Sequence, residues 1–252
     1  MSFADLPPLL DLILIVGGSL AAGFVSGLSG FGVALVSLGV WLHVMPPATA
    51  GTLSMGTSVL IHVQTFRRVW READWSLLWP FLVPGLIATP LGVALMGYLA
   101  PGPLKLGLGL FLLGYCALMV AMRGALALHR GGRFADGVVG AIGGVLGGMV
   151  GLSGALTAVW VQLRGWPKPV QRGVNQFFNF AVLTLAILIK GTSGDLDRGF
   201  FWLLLLCAPG TIAGAWLGMR AYGKVDDRQF RWIIVGLLAL SGAALVGSHF
   251  AR

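Results

Sequence analysis

Ten apolar runs, separated by short polar or proline-containing stretches, cover most of the chain. They fall at 9–28, 31–45, 48–66, 76–98 and 104–122 in the first half. In the second half they fall at 137–152, 155–163, 173–189, 199–219 and 232–250. A full bilayer crossing needs about 20 apolar residues. The second and seventh runs are too short for that, so half-helices or the return arms of re-entrant hairpins are expected there. Leu9 to Met45 carries one charge, Asp11, and is far too long for one crossing. Gly27-Leu28-Ser29-Gly30 interrupts it, and the same four residues return 124 positions later as Gly151-Leu152-Ser153-Gly154. A Ser-Gly break inside hydrocarbon frees backbone N–H groups that lipid cannot satisfy, so it survives only along a cavity or against protein. Paired breaks in the two halves of a membrane protein point to a transport site. Each motif is therefore expected to open a short helix whose N–H groups face an anion near the bilayer midplane. Close helix packing is the competing reading for Gly and Ser here; duplication at matching positions weighs against it.

The halves correspond beyond this motif. Pro84-Gly85-Leu86-Ile87-Ala88 answers Pro209-Gly210-Thr211-Ile212-Ala213, and Pro101 to Lys105 answers Asp227 to Arg231. The pattern predicts an all-α polytopic membrane protein made of two five-segment repeats, residues 1–124 and 125–252. An odd number of segments per repeat inverts the second half relative to the first, which is a secondary-transporter architecture.

Composition agrees with the runs. Hydrophobic residues make up 57% of the chain and charged residues 10%, against roughly 25% charged in soluble domains; mean hydropathy is +0.88. Met1 to Pro8 holds no basic residue ahead of the first run, so a cleaved signal peptide is not expected. Cys116 and Cys207 lie inside apolar runs and suggest neither a disulfide framework nor a metal site. The net charge of +8 is concentrated in four loops that hold 13 of the 17 Lys and Arg residues: 67–71, 123–133, 164–172 and 220–231. With ten crossings all four fall on one side, and the positive-inside rule places that side in the cytoplasm and both termini outside. A charge distributed this way argues against nucleic acid and for a lipid bilayer, the cell's inner or plasma membrane.

The duplicated break, the apolar arm after it, and a proline turn (Met45-Pro46-Pro47 and Trp166-Pro167-Lys168-Pro169) resemble the TauE/SafE sulfite exporter family, whose members are also described as sulfur-anion permeases. A Gly-, Ser- and Thr-rich third segment and a basic loop complete the likeness, which spans nearly the whole chain. Glycines after the first break are fewer here (Gly30-Phe31-Gly32), and the second-half third segment reads Asn175-Gln176-Phe177-Phe178-Asn179. The resemblance implies a membrane permease for small sulfur-containing oxyanions such as sulfite or organosulfonates, working in export.

An oxyanion needs several donors around its oxygens, and hydroxyls, amides and helix N-terminal N–H groups supply them without a buried fixed charge. The candidate substrate-binding residues are Ser29, Gly30 and Gly32 at the first break and Ser153 and Gly154 at the second. Thr52, Ser54 and Ser58 join them from the third segment, and Arg172, Asn175 and Asn179 from the eighth. Ser54, Ser58 and His62 are spaced four apart and share one helical face, as do Asn175 and Asn179. Interhelical hydrogen bonding is the competing role for these polar groups. His62 is a candidate for proton coupling, and no Asp or Glu is expected at mid-depth in any segment. Arg164, Lys168 and Arg172 could form a vestibule that concentrates anions, or serve only as topology signals. The four His residues are scattered, and no nucleophile–base constellation, phosphate loop or metal cluster is present; neither an enzyme nor a cofactor is expected. The partners are then a small anion and lipid, with a homo-oligomer compatible with the pattern. An anion channel and a non-transporting membrane assembly subunit are the rival readings.

Overall fold

The computed structural model describes residues 8–72, 74–121 and 132–221, and individual helical positions between 232 and 247. Arg123, Arg130, Lys224, Arg228, Arg231 and most of the tenth run lie outside the described residues, as do the side chains of Arg67, Arg68, Arg71 and Lys168. No strand occurs among the described residues. Among the described residues these helices follow in order: α1 (Leu9–Ser29), α2 (Val33–Trp41), α3 (Pro47–Glu72), α4 (Trp75–Met96), α5 (Pro101–Ala121), α6 (Gly132–Val150), α7 (Ser153–Leu163), α8 (Lys168–Thr192) and α9 (Arg198–Ala221). Of these, α1, α4, α6, α8 and α9 are long and apolar enough to cross a membrane. The short second and seventh runs are helices of 9 and 11 residues.

Local sequence sets several of these boundaries. Pro47 begins α3, Pro101 begins α5 and Pro169 is the second residue of α8; proline's missing N–H costs nothing in a first turn. Asp74 caps α4 by accepting from the Ser76 backbone N–H at 3.0 Å.

Helices pack reciprocally between the halves. α1 lies along α9 and α4 lies along α6, so the first helix of each half pairs with the fourth of the other. The third helices, α3 and α8, pack on each other, and each also touches the fourth helix of the opposite half. Glycine makes the two long pairings close. A Cβ on Gly144 would overlap the Gly85 carbonyl, and one on Gly140 would overlap that of Phe81. On the other side, Gly214 sits against the Leu20 carbonyl and Gly218 against that of Phe24. The contacts advance in step, from 81 to 85 against 140 to 144 and from 20 to 24 against 214 to 218, so both pairs are parallel. Small residues four apart are what let helix backbones approach this closely where lipid offers no hydrophobic drive. α5 packs against the described C-terminal positions, with Cys116 Sγ donating to the Val235 carbonyl at 3.5 Å and Gly109 beside Leu245 and Val246.

The arms α2 and α7 sit inside this frame, each folded back on the first helix of its own half. Their far ends are fastened differently. Trp41 Nε1 donates to the Ile15 carbonyl at 3.1 Å, and Lys105 Nζ donates to the Leu42 carbonyl at 2.6 Å. In the second half Trp160 Nε1 donates to Asp136 Oδ1 at 2.7 Å, and Arg164 Nη2 approaches Asp136 Oδ2 at 3.4 Å. Asp136 lies one turn from the start of α6, near the helix end and away from mid-depth, yet it is buried. α6 starts at Gly132, ahead of the apolar run, so Asp136 is inside the helix and only 2% exposed.

Candidate functional site: two helix N-termini at one cavity

Both breaks are made by glycine in the left-handed region, where a Cβ is strained. α1 ends at Ser29, and Gly30 (φ 81°) follows as its cap, its N–H bonding the Ser26 carbonyl at 2.7 Å. Gly32 (φ 97°) then precedes α2. In the second half Gly151 (φ 81°) stops α6, its N–H bonding the Gly147 carbonyl at 2.9 Å and the Leu152 N–H reaching back to the Leu146 carbonyl at 3.2 Å. The left-handed stop thus falls on the last glycine of the first motif and on the first glycine of the second. The stops are 121 residues apart, three fewer than the sequence repeat of 124. As a result Ser153 and Gly154 open α7, whereas Ser29 and Gly30 close α1 and it is Gly32 that opens α2. The expectation that each Ser-Gly opens a helix therefore fits only the second copy.

The two openings face one cavity of about 20 Å³, counted as space for the centre of a water-sized sphere and enough for one or two waters. Phe31, Gly32, Val33, Ala34 and Leu35 line it from the first break, and Gly151, Leu152, Gly154 and Ala155 from the second. Ser58 and His62 of α3 and Asn179 and Leu183 of α8 complete the wall. Neither N-cap residue, Gly32 of α2 or Leu152 of α7, supplies a side-chain cap, and the first turns of both helices, with the positive ends of their dipoles, border this space. No carboxylate lines it among the described residues.

Of the residues singled out from sequence, Gly32, Ser58, His62, Gly154 and Asn179 line the cavity. The others lie around it with identifiable tasks. Ser29 Oγ lies 2.8 and 2.7 Å from the Val25 and Phe31 carbonyls, sharing its one proton between them and closing α1. Thr52 donates to the Ala48 carbonyl at 2.8 Å and Ser58 to that of Ser54 at 2.6 Å. Ser54 donates to Gly51 at 2.8 Å and, across the halves, to the last carbonyl of α6, Val150, at 3.1 Å. The single protons of these four hydroxyls are therefore occupied, and serine–glycine spacing alone does not reveal it. Arg172 Nη2 donates to the Gly27 carbonyl at 3.3 Å, and its stem lies beside Gly30; it holds the carboxyl end of α1. Ser153 Oγ donates to Asn179 Oδ1, and Thr157 Oγ1 donates to Asn175 Oδ1 at 2.6 Å.

Two residues beside the site, and one at the far end of the α7 arm, were not among the candidates. Thr157 follows Ser153 by four and shares its helical face, which was a legible signal. Gln176, 2% exposed, places an amide nitrogen without a hydrogen-bond partner beside Gly30. Asp136 lies just ahead of an apolar run, where a charge is ordinarily taken as a loop residue.

A broken-helix cavity of this kind is decided between transporter families by the chain around it. The family model described as Sulfite exporter TauE/SafE matches residues 15–245, from within α1 to within the tenth run. The chain belongs to the TauE/SafE family. Membership covers both breaks, both arms and every residue lining the cavity. No curated protein and no solved structure matches the chain significantly. TauE/SafE proteins are membrane transporters of the sulfite exporter type, and five long apolar helices make this chain a multi-pass membrane protein.

Proposed function

We propose that this TauE/SafE protein is a secondary transporter that exports small sulfur oxyanions, sulfite or a short organosulfonate, across the cytoplasmic membrane. The anion would be held where the N-termini of α2 and α7 meet. The observation that carries this reading is the convergence of two uncapped helix N-termini on a cavity lined without a carboxylate. Such ends are ready-made anion sites, and a pair of them from opposite halves is how broken-helix transporters hold a substrate. Phe31, Leu35, Leu152 and Leu183 bound the cavity with apolar groups, which favours an occluding carrier over a continuously polar channel. A non-transporting subunit has no use for it.

The reading places the halves, 1–124 and 125–252, as inverted repeats. The reciprocal pairing of α1 with α9 and α4 with α6 supports this. So does the run of contacts between α3 and α8. Trp70 and Phe66 meet Phe177, and Phe66 meets Phe180, while Ser58 and His62 share the cavity with Asn179 and Leu183. Advancing along one helix retreats along the other. Both termini then face away from the cytoplasm, which reporter fusions at either end would read directly. His62, the titratable side chain in the cavity wall, is the proposed site of proton coupling.

The test is reconstitution. Proteoliposomes loaded with sulfite should release it far faster than protein-free vesicles, with methanesulfonate competing and an imposed pH gradient altering the rate. His62→Gln should remove the response to the gradient. Sulfite release at the protein-free rate, from vesicles whose protein melts normally, would overturn the assignment.

A further inference from the structure

Asn175 and Asn179 of α8 face Ser153 and Thr157 of α7 as a two-rung ladder, each pair of residues being one helical turn apart. All four are buried, at 3%, 4%, 0% and 1% exposure. In each rung the hydroxyl donates to the amide oxygen, Ser153 to Asn179 Oδ1 and Thr157 to Asn175 Oδ1. Elsewhere in this protein helical hydroxyls donate to the carbonyl four residues back, as Thr52 and Ser58 do. Ser153 is the first residue of α7 and has no such carbonyl in its own helix. Thr157 does have one, Ser153 O, but at 3.2 Å against 2.6 Å to Asn175.

A carboxamide has one accepting end and one donating end, and nothing intrinsic decides which faces a ligand. A hydroxyl that donates to the oxygen decides it. We infer that Ser153 and Thr157 are positioning residues that fix the orientation of both amides and turn the Asn179 NH2 toward the cavity, making that part of its wall a donor surface selective for fully deprotonated oxyanions. Both amides are bonded by these hydroxyls through their oxygens, and Asn179 lines the cavity. Gly154 leaves room for that orientation, since a Cβ there would overlap the Asn179 amide. The Ser58 hydroxyl in the cavity wall is spent on the Ser54 carbonyl, so the Asn179 amide is a side-chain donor beside the helix N-termini. A ligand carrying its own N–H or O–H meets donor against donor. This inference rests on the anion site proposed above and adds how the site discriminates.

Methanesulfonate and methanesulfonamide are near-isosteres, the first with acceptor oxygens only and the second with an NH2 donor. Their affinities for the purified full-length protein are measured by competition against sulfite. Wild type should prefer the sulfonate. Ser153→Ala releases the Asn179 amide to turn its oxygen inward. Sulfonate affinity should then fall about fivefold, the worth of one hydrogen bond, while sulfonamide affinity rises. Thr157→Val should do the same more weakly, and Ser153→Thr, which keeps the hydroxyl, should restore the wild-type ratio. The ratio is read on one preparation, so a partly unfolded sample does not change it. If Ser153→Ala leaves the ratio unchanged while Asn179→Leu abolishes sulfonate binding, the site stands and the lock is wrong. If Asn179→Leu also binds normally, the anion site itself is misplaced.

Discussion

Replacing Asp136 with alanine should lower stability by about 2–3 kcal/mol, because it orphans the Trp160 indole N–H and the half-buried Arg164 charge. Asp136 is 2% exposed and its two oxygens take the Trp160 indole N–H at 2.7 Å and the Arg164 guanidinium at 3.4 Å. Removing the carboxylate strands the Arg164 charge, whose Nε already lacks a partner, and frees the indole as well. Arg164→Ala should be comparably damaging for the converse reason. The double change Asp136→Leu with Arg164→Met should recover much of the loss, because an apolar pair of similar volume avoids the desolvation that the ions incur. Thermal unfolding in detergent, followed by circular dichroism, reads all three. An Asp136→Ala protein that melts like wild type would show that the pair does not hold the α7 arm. The first half fastens its arm with a neutral bond, Trp41 to the Ile15 carbonyl, so Trp41→Phe should cost far less, about 1 kcal/mol.

The helices were legible in the chain because apolar run length and proline placement set them directly. The runs at 48–66 and 173–189 grew into α3 and α8 because their polar ends continue the helix beyond the hydrocarbon-like stretch. The two breaks were legible as glycine-rich interruptions, but their register was not. Any glycine in Gly27-Leu28-Ser29-Gly30 can adopt the left-handed turn, and packing selects one. Gly30 sits against the stems of Arg172 and Gln176, whereas Gly151 sits against Ser54 and Met55. These neighbours come from the opposite half, 96 or more residues away in sequence, so no local pattern carries the choice. The same holds for donors. Four-residue spacing put Ser54, Ser58 and His62 on one face, yet whether a hydroxyl proton faces a ligand or a carbonyl depends on contacts such as Ser54 to Val150. Arg164 read as a loop charge because its partner, Asp136, is 28 residues away on another helix.

The second large effect is on binding. Gly154→Leu should weaken sulfite binding about a hundredfold, since charge-assisted hydrogen bonds of about 1.5–3 kcal/mol each are lost when the α7 N-terminus is screened. The added side chain meets the Asn179 amide and fills the space in front of Ala155 N–H. Gly144→Leu provides the contrast. That residue is in the α4–α6 seam, where a Cβ overlaps the Gly85 carbonyl, so the variant should lose stability and expression while any folded fraction binds. Calorimetric titration alongside melting curves separates the two. Early melting of Gly154→Leu with normal affinity in the folded fraction would make that glycine a packing residue only.

The central claim is that one anion sits between the two arm N-termini, and selenite reports on it most directly. It has the shape and charge of sulfite, and its selenium scatters anomalously. Crystals of the full-length protein grown with selenite should give one strong anomalous peak inside the cavity. It should lie within hydrogen-bonding reach of the first-turn N–H groups of α2 and α7 and of Asn179 Nδ2. A peak elsewhere, along the outer basic loops or beside Arg172 and Gln176 with the cavity empty, would contradict the account.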